Sequence, residues 1–150
     1  MISSAIVSSL HLLALGLGLP AVFLRGRALK ALPADWAFGR LFAADTVWGL
    51  AALLWVFTGL LRVFAGLEKG VQYYMTNPLF WTKMSLLLVI ILLEIWPMIT
   101  FIRWRRIRGR GETVDTSPAG RLYVVNHVQM AIVVVMVFVA SMMARGIGLG

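Results

Sequence analysis

Four long apolar runs, separated by short polar or basic segments, dominate the pattern of the chain. The runs cover approximately residues 2–24, 41–61, 78–102 and 118–144. Each has about the 20 apolar residues that a helix needs to cross a bilayer. Short connections between neighbouring spans favour an up-down-up-down arrangement. The pattern therefore predicts an all-α fold, in which residues 1–150 form one integral membrane domain built as an antiparallel four-helix bundle.

The third run contains two ionisable residues within its apolar sequence. Lys83 lies near its start and Glu94 lies past its middle, and spacings of three and four residues place both on one helical stripe. A charged side chain at the centre of a membrane costs roughly 2.5–3.5 kcal/mol on translocon scales. We therefore expect this stripe to face a polar interior shared with the other spans, rather than lipid.

The other runs contribute polar side chains at depths that suggest two layers. At a rise of about 1.5 Å per residue, Asp45 on the second run, Glu94 on the third and His127 on the fourth fall in one layer. The second predicted layer, nearer the opposite membrane face, consists of His11, Lys83 and Arg145. Small residues accompany Asp45 on its stripe, and they either allow close helix packing or leave room for a bound group.

Each polar candidate also has a structural interpretation. A neutral histidine, His11 or His127, can bond to a serine or a backbone carbonyl and so join two helices. Lys83 can extend its amine towards the membrane surface, and Asp45 can pair with Arg40 or Arg103. Glu94 has no basic residue within a helical turn, so it must be protonated or paired.

Basic residues concentrate in two segments, 25–40 and 103–121, which we interpret as loops and which account for most of the formal net charge of +8. Both segments lie on the same side of a four-span chain, so the positive-inside rule puts them in the cytoplasm and both termini outside. The two basic segments are expected to bind anionic lipid headgroups. Because they adjoin membrane spans, binding to nucleic acid is not expected.

The residue types exclude several kinds of site. The chain has no cysteine, which rules out disulfides, thiolate metal sites, iron–sulfur clusters and haem attachment through Cys-x-x-Cys-His. It has no recognisable nucleophile–base pair, phosphate-binding glycine loop or carboxylate-rich site for a divalent cation. An ordinary hydrolase or kinase is therefore not expected.

Three phrases resemble a family of small bacterial predicted membrane proteins that carry a domain of unknown function. They are HLLALGLG at 11–18, EKGVQYYMTNPLFWTK at 68–83, and MARGIGL near the end of the chain. The resemblance covers nearly the whole sequence. It implies a multi-pass protein of the bacterial cytoplasmic membrane and brings no assigned activity.

The layout more distantly resembles HemJ-type protoporphyrinogen oxidases and the CopD-type copper-resistance membrane domain. HemJ-type chains have a histidine early in the first span and a lysine early in the third, with haem b as cofactor; His11 and Lys83 match these placements. Asn126 matches an asparagine at the start of the last span, which HemJ-type chains follow with glutamate and this chain with His127. The resemblance implies His11 and Lys83 as haem contacts. Because haem sites in antiparallel bundles are built from histidines on the helices, His127 is a further candidate contact, and His11 and His127 are the candidate axial ligands. Ligation by His11 alone, with Lys83 near a propionate or as the second ligand, is equally compatible with the spacing.

Three functions are open from the sequence. The favoured one is a haem-b-binding redox protein. The second is a proton- or ion-coupled carrier in which Asp45, Glu94 and His127 form a relay, and for which a homodimer is expected because four spans are few. The third is a non-catalytic scaffold, held to anionic lipid or an acidic partner by the basic segment 103–121.

Overall fold

The computed structural model describes residues 2–67 and 69–148, and in these ranges every element of regular secondary structure is an α-helix. Met1, Glu68, Leu149 and Gly150 lie outside the described residues. The five helices are α1 (Ile2–Ala31), α2 (Asp35–Phe64), α3 (Val71–Thr76), α4 (Pro78–Gly109) and α5 (Ala119–Ala144). The four long helices are each long and apolar enough to cross a membrane. The prediction of an all-α chain with four spans is confirmed.

The long helices extend beyond the apolar runs at their basic ends. α1 continues to Ala31 and α2 begins at Asp35, so the segment 25–40 is mostly helical. α4 likewise continues to Gly109, into the segment 103–121. The interpretation of the two basic segments as loops was therefore wrong for residues 25–31, 35–40, 103–109 and 119–121, which are helical, whereas residues 32–34 and 110–118 are loops. Arginine, lysine, leucine and alanine are good helix formers, and they carry the helices past the apolar zone.

A local signal fixes the start of α4. The side-chain Oδ1 of Asn77 accepts a hydrogen bond of 2.9 Å from the backbone N–H of Leu79, and Pro78 occupies the first helical position. This satisfies one of the backbone donors that every helix N-terminus leaves unpaired.

The connection between α4 and α5 has local order of its own. The backbone N–H and the hydroxyl of Ser117 donate hydrogen bonds to the carboxylate of Asp115, at 2.9 and 3.0 Å. These bonds, the backbone one above all, lower the pKa of Asp115 below its usual value. A charged Asp115 therefore holds the turn that leads into α5.

The bundle has three tight sides and one looser side. Among the described residues, α1 packs closely on α2 and on α5, and α4 packs closely on α5, whereas the backbones of α2 and α4 stay farther apart. Three buried apolar clusters follow one another along the bundle, around Phe38 and Leu122, around Val22 and Met136, and around Tyr74 and Phe80. Polar groups lie between these clusters, at the two levels described next.

Candidate functional sites: a buried arginine cluster and a histidine–lysine cavity

Arg25, near the C-terminal end of α1, is fully buried and is surrounded by polar side chains. Its Nε donates to Oδ1 of Asn126 at 2.7 Å. One terminal nitrogen donates to Glu94 at 2.6 Å and to Asp45 at 3.3 Å. The other donates to Glu94 at 3.1 Å and to Gln129 at 2.7 Å. A guanidinium has five N–H donors, so each of them has an acceptor here.

These residues, together with Trp48, form what we call the Arg25 cluster, and Glu94 is its main counter-ion. Its Oε2 also accepts hydrogen bonds from Nε1 of Trp48 at 3.1 Å and from Nε2 of Gln129 at 2.6 Å. The expectation that the Glu94 stripe faces a polar interior is confirmed. Glu94 is paired, and its partner lies on α1, the first helix of the chain.

Asp45 links the Arg25 cluster to the basic end of the bundle. Its Oδ1 lies 3.3 Å from Arg25, and its Oδ2 lies 2.8 Å from the partly exposed Arg105. The expected pairing of Asp45 with Arg40 or Arg103 was therefore wrong. Because α4 remains helical beyond the apolar run, its last turns bring Arg105, and not Arg103, against α2.

The contact between α1 and α5 is close beside the Arg25 cluster. Nδ2 of Asn126 donates to the carbonyl of Val22 at 2.8 Å. A Cβ added to Gly26 would lie 2.8 Å from Nδ2 of Asn126 and 3.0 Å from Cε1 of His127. The absence of a side chain at Gly26 therefore lets α5 approach near enough for Asn126 to reach Arg25.

Sequence reasoning missed Arg25, because a basic residue after an apolar run was interpreted as a marker of the membrane boundary. It named Asn126 only by resemblance, and it missed Gln129. The available signal was the three-residue spacing of Asn126 and Gln129, which puts two amides on one face of an apolar helix. Buried amides need partners, so this spacing indicates a polar contact on a facing helix.

His127 does not join the layer predicted for it with Asp45 and Glu94. Its Nδ1 lies 2.9 Å from the backbone carbonyl oxygen of Tyr123, one turn earlier on α5. The centre of its ring lies 4.0 Å from the centre of the Tyr123 ring. The structure thus brings two of the three predicted relay residues together, through Arg25, and gives His127 a bond within its own helix.

His11 lies towards the other end of the bundle, buried between α1 and α2. Its Nδ1 is 2.9 Å from Oγ1 of Thr58, and its ring stacks on Trp55 with the ring centres 5.5 Å apart. The partner of His11 is therefore a threonine hydroxyl, where a serine or a backbone carbonyl was expected.

A cavity of about 320 Å³ lies beside His11, between α2 and α4 and beneath α3. Lys83 also lines it, with its amine 5.9 Å from the centre of the Trp55 ring. Its described lining is otherwise largely apolar and aromatic, and the charged residues in it are the basic Arg62, Lys69 and Lys83. Arg145, predicted for the same layer, is exposed and is not among the described lining residues.

A second, smaller cavity of about 90 Å³ continues along the looser side of the bundle. It shares Trp55, Val56 and Leu87 with the first cavity and has Glu94 and Trp48 in its own walls. The Glu94 side chain, 23% exposed, is therefore accessible from this cavity although its carboxylate is held by Arg25. Gly59 and Ala52, two small residues on the stripe of Asp45, line the first and the second cavity respectively, so this stripe leaves room beside it.

The two histidines lie too far apart to share one iron. The ring of His127 lies beside Gly26, and Gly26 is fifteen residues after His11 on the same helix, a rise of about 22 Å. Two axial ligands must reach a single metal atom, so His11 and His127 cannot form such a pair. Only His11 and Lys83, of the three predicted haem contacts, line the same cavity.

Among the described residues, no group of three or more histidine or carboxylate side chains is placed to hold a metal ion. No curated protein and no solved structure matches the chain, so the resemblance to HemJ-type and CopD-type proteins stays an expectation from the motifs. A family model described as "Predicted membrane protein (DUF2214)" matches residues 3–148. Since that match spans all four membrane helices, the chain belongs to the DUF2214 family of predicted membrane proteins.

Proposed function

We propose that this membrane protein binds haem b in the cavity lined by His11 and Lys83. The observation that carries the proposal is that these two residues, from different helices, line one cavity and contact the same indole, Trp55. Their shared position is a property of the fold, since α1 and α4 do not follow one another in the chain.

The chemistry of the cavity fits a haem in three respects. Neutral imidazole is a common axial ligand of haem iron, and His11 provides one. Basic side chains line the cavity, which suits the two carboxylates of the porphyrin. The remaining wall is mostly apolar and aromatic, as the walls of ligand-binding cavities generally are. When bound, haem b supplies reversible one-electron transfer; His11 would hold the iron and Lys83 a carboxylate.

Haem binding is tested by titrating ferric haem into detergent-purified protein and following the Soret band. We expect His11→Gln to abolish the shift of that band, because it removes the axial nitrogen. We expect Lys83→Met to weaken binding by about tenfold, the effect of losing roughly 1.4 kcal/mol. His127→Gln is the matched control and should bind as the wild type does.

Two outcomes would contradict this proposal. One is wild-type protein that remains colourless when produced with haem supplied and that shows no Soret shift on titration. The other is a His11→Gln variant that binds haem as tightly as the wild type.

The Arg25 cluster favours a second candidate, a proton- or ion-coupled carrier. Two carboxylates share one arginine, and Glu94 is accessible from the smaller cavity. In such a carrier Glu94 would exchange Arg25 for a proton, as intramembrane carboxylates do in transporters. Asp45 would retain the arginine in the meantime.

The carrier function is tested by Glu94→Gln, a nearly isosteric change that keeps one acceptor for Arg25. Proton-linked flux into vesicles that contain the protein should fall by at least about tenfold, while haem absorbance stays unchanged. His127→Gln, outside the Arg25 cluster, should leave the flux as it is. Equal flux in Glu94→Gln and wild type would exclude this function.

A further inference from the structure

Three residues on one face of α2 hold the ring of His11. Thr58 and Gly59 follow Trp55 by three and four residues, so both lie about one helical turn from it on the same face. The ring stacks on Trp55 at an interplanar angle of 26° and bonds to Thr58. A Cβ added to Gly59 would lie 3.4 Å from Cε1 of His11, at van der Waals distance, so the ring lies directly against this part of α2.

The other hydrogen bonds of the Thr58 hydroxyl determine whether it donates to His11 or accepts from it. Thr58 is 1% exposed. Its hydroxyl has one hydrogen, which it donates to the backbone carbonyl of Leu54 at 2.7 Å, and the carbonyl oxygen of Trp55 lies 3.2 Å away. A carbonyl oxygen only accepts, so that hydrogen is not available to His11. The hydroxyl must therefore accept the bond to His11, and Nδ1 of the imidazole must carry its proton.

We propose that Thr58 is a positioning residue that holds the neutral His11 ring in its Nδ1–H form and so keeps the electron pair on Nε2. Metal-binding histidines commonly donate their second ring N–H in this way, which orients the ring and raises its basicity as a ligand. An acceptor at Nε2 suits a ligand with an electron-deficient metal centre, the class to which haem belongs.

The identity of that ligand rests on the proposed function, but the protonation of the ring does not, since it is set by the protein before any ligand binds. The protonation of the His11 ring and the identity of the ligand can therefore be tested separately. The first measurement uses protein without added haem, and the second uses ferric haem as the probe.

The first measurement is ¹⁵N NMR of histidine-labelled protein in detergent micelles, with the signals assigned by His11→Gln. We expect the wild-type His11 to show a protonated Nδ1 and an unprotonated Nε2. Thr58→Val, which replaces the hydroxyl by a methyl group, should lose this preference, and Thr58→Ser should retain it. His127 is an internal reference, because its Nδ1 donates to the Tyr123 carbonyl on its own helix and does not contact Thr58.

The second measurement is the haem titration of the same variants. Loss of an outer hydrogen bond to a metal-binding histidine typically costs 10–100-fold in metal affinity, so Thr58→Val should weaken haem binding by about that factor. Thr58→Ser should restore it to near the wild-type value. Should valine disturb the fold, as judged by circular dichroism, Thr58→Ala removes the same hydroxyl without adding volume.

A wild-type His11 with its proton on Nε2, or an unchanged His11 spectrum in both Thr58→Val and Thr58→Ala, would overturn the role of Thr58. If the spectra behave as expected and haem does not bind to any variant, the proposed function fails while the positioning role stands.

Discussion

Arg25→Met is expected to destabilise the folded bundle by about 3–5 kcal/mol, the usual cost of removing one partner of a buried ion pair. Arg25 is fully buried and gives all of its N–H groups to acceptors on α2, α4 and α5. Methionine has a similar length but no donor. Glu94 and Asp45 would lose the buried cation that balances them, and the amide oxygens of Asn126 and Gln129 would lose their hydrogen bonds.

This loss is measured as the free energy of unfolding in mixed micelles with increasing SDS. Arg27→Met is the matched control, because Arg27 is exposed on the same helix. The double variant Arg25→Met with Glu94→Gln should recover part of the loss, since the uncompensated carboxylate is then gone. A stability of Arg25→Met within about 1 kcal/mol of Arg27→Met would show that the buried cluster does not stabilise the fold.

Gly26→Ala is expected to destabilise the bundle by about 1–3 kcal/mol, although alanine is the better helix former. The new Cβ would lie 2.8 Å from Nδ2 of Asn126. Asn126 cannot move aside without weakening its bonds to Arg25 and to the Val22 carbonyl. The clash therefore acts on the Arg25 cluster as well as on the packing of α1 against α5.

Gly16→Ala, on the same helix, is the control for this prediction. A Cβ at Gly16 would have no heavy atom within 4 Å, so alanine there should leave stability unchanged or raise it by up to about 1 kcal/mol. The same unfolding titration measures both variants. If the two substitutions change stability in the same direction, the close approach at Gly26 is not what limits that position.

The apolar pattern alone established the number of spans and the interior position of Glu94. A carboxylate in a long apolar run has few low-energy options, and pairing inside the bundle is one of them. The same reasoning correctly placed Asp45 beside an arginine but named the wrong one. Positions along a single helix give depth, whereas the choice among arginines depends on how neighbouring helices are rotated and how far they extend.

Arg25 shows a different limit of sequence reasoning. Its place after an apolar run is typical of a residue at the membrane surface, and the positive-inside rule treats every such residue alike. The structure separates Arg25, which is buried, from Arg27, which is exposed, because they lie on different faces of one helix. The amides that mark the buried face are on α5, a hundred residues later in the chain.

By itself, then, the sequence determined a four-span α-helical membrane domain and a set of polar residues that lipid would not tolerate, because both follow from the cost of moving each side chain out of water. Only the tertiary structure decided their partners. It connected Glu94 and Asp45 through Arg25 and bonded His127 to a carbonyl of its own helix. It also placed His11 and Lys83 in the wall of one cavity. Hydrogen bonds and cavities are made between helices, so they depend on helix rotation and spacing, which no single stretch of sequence specifies.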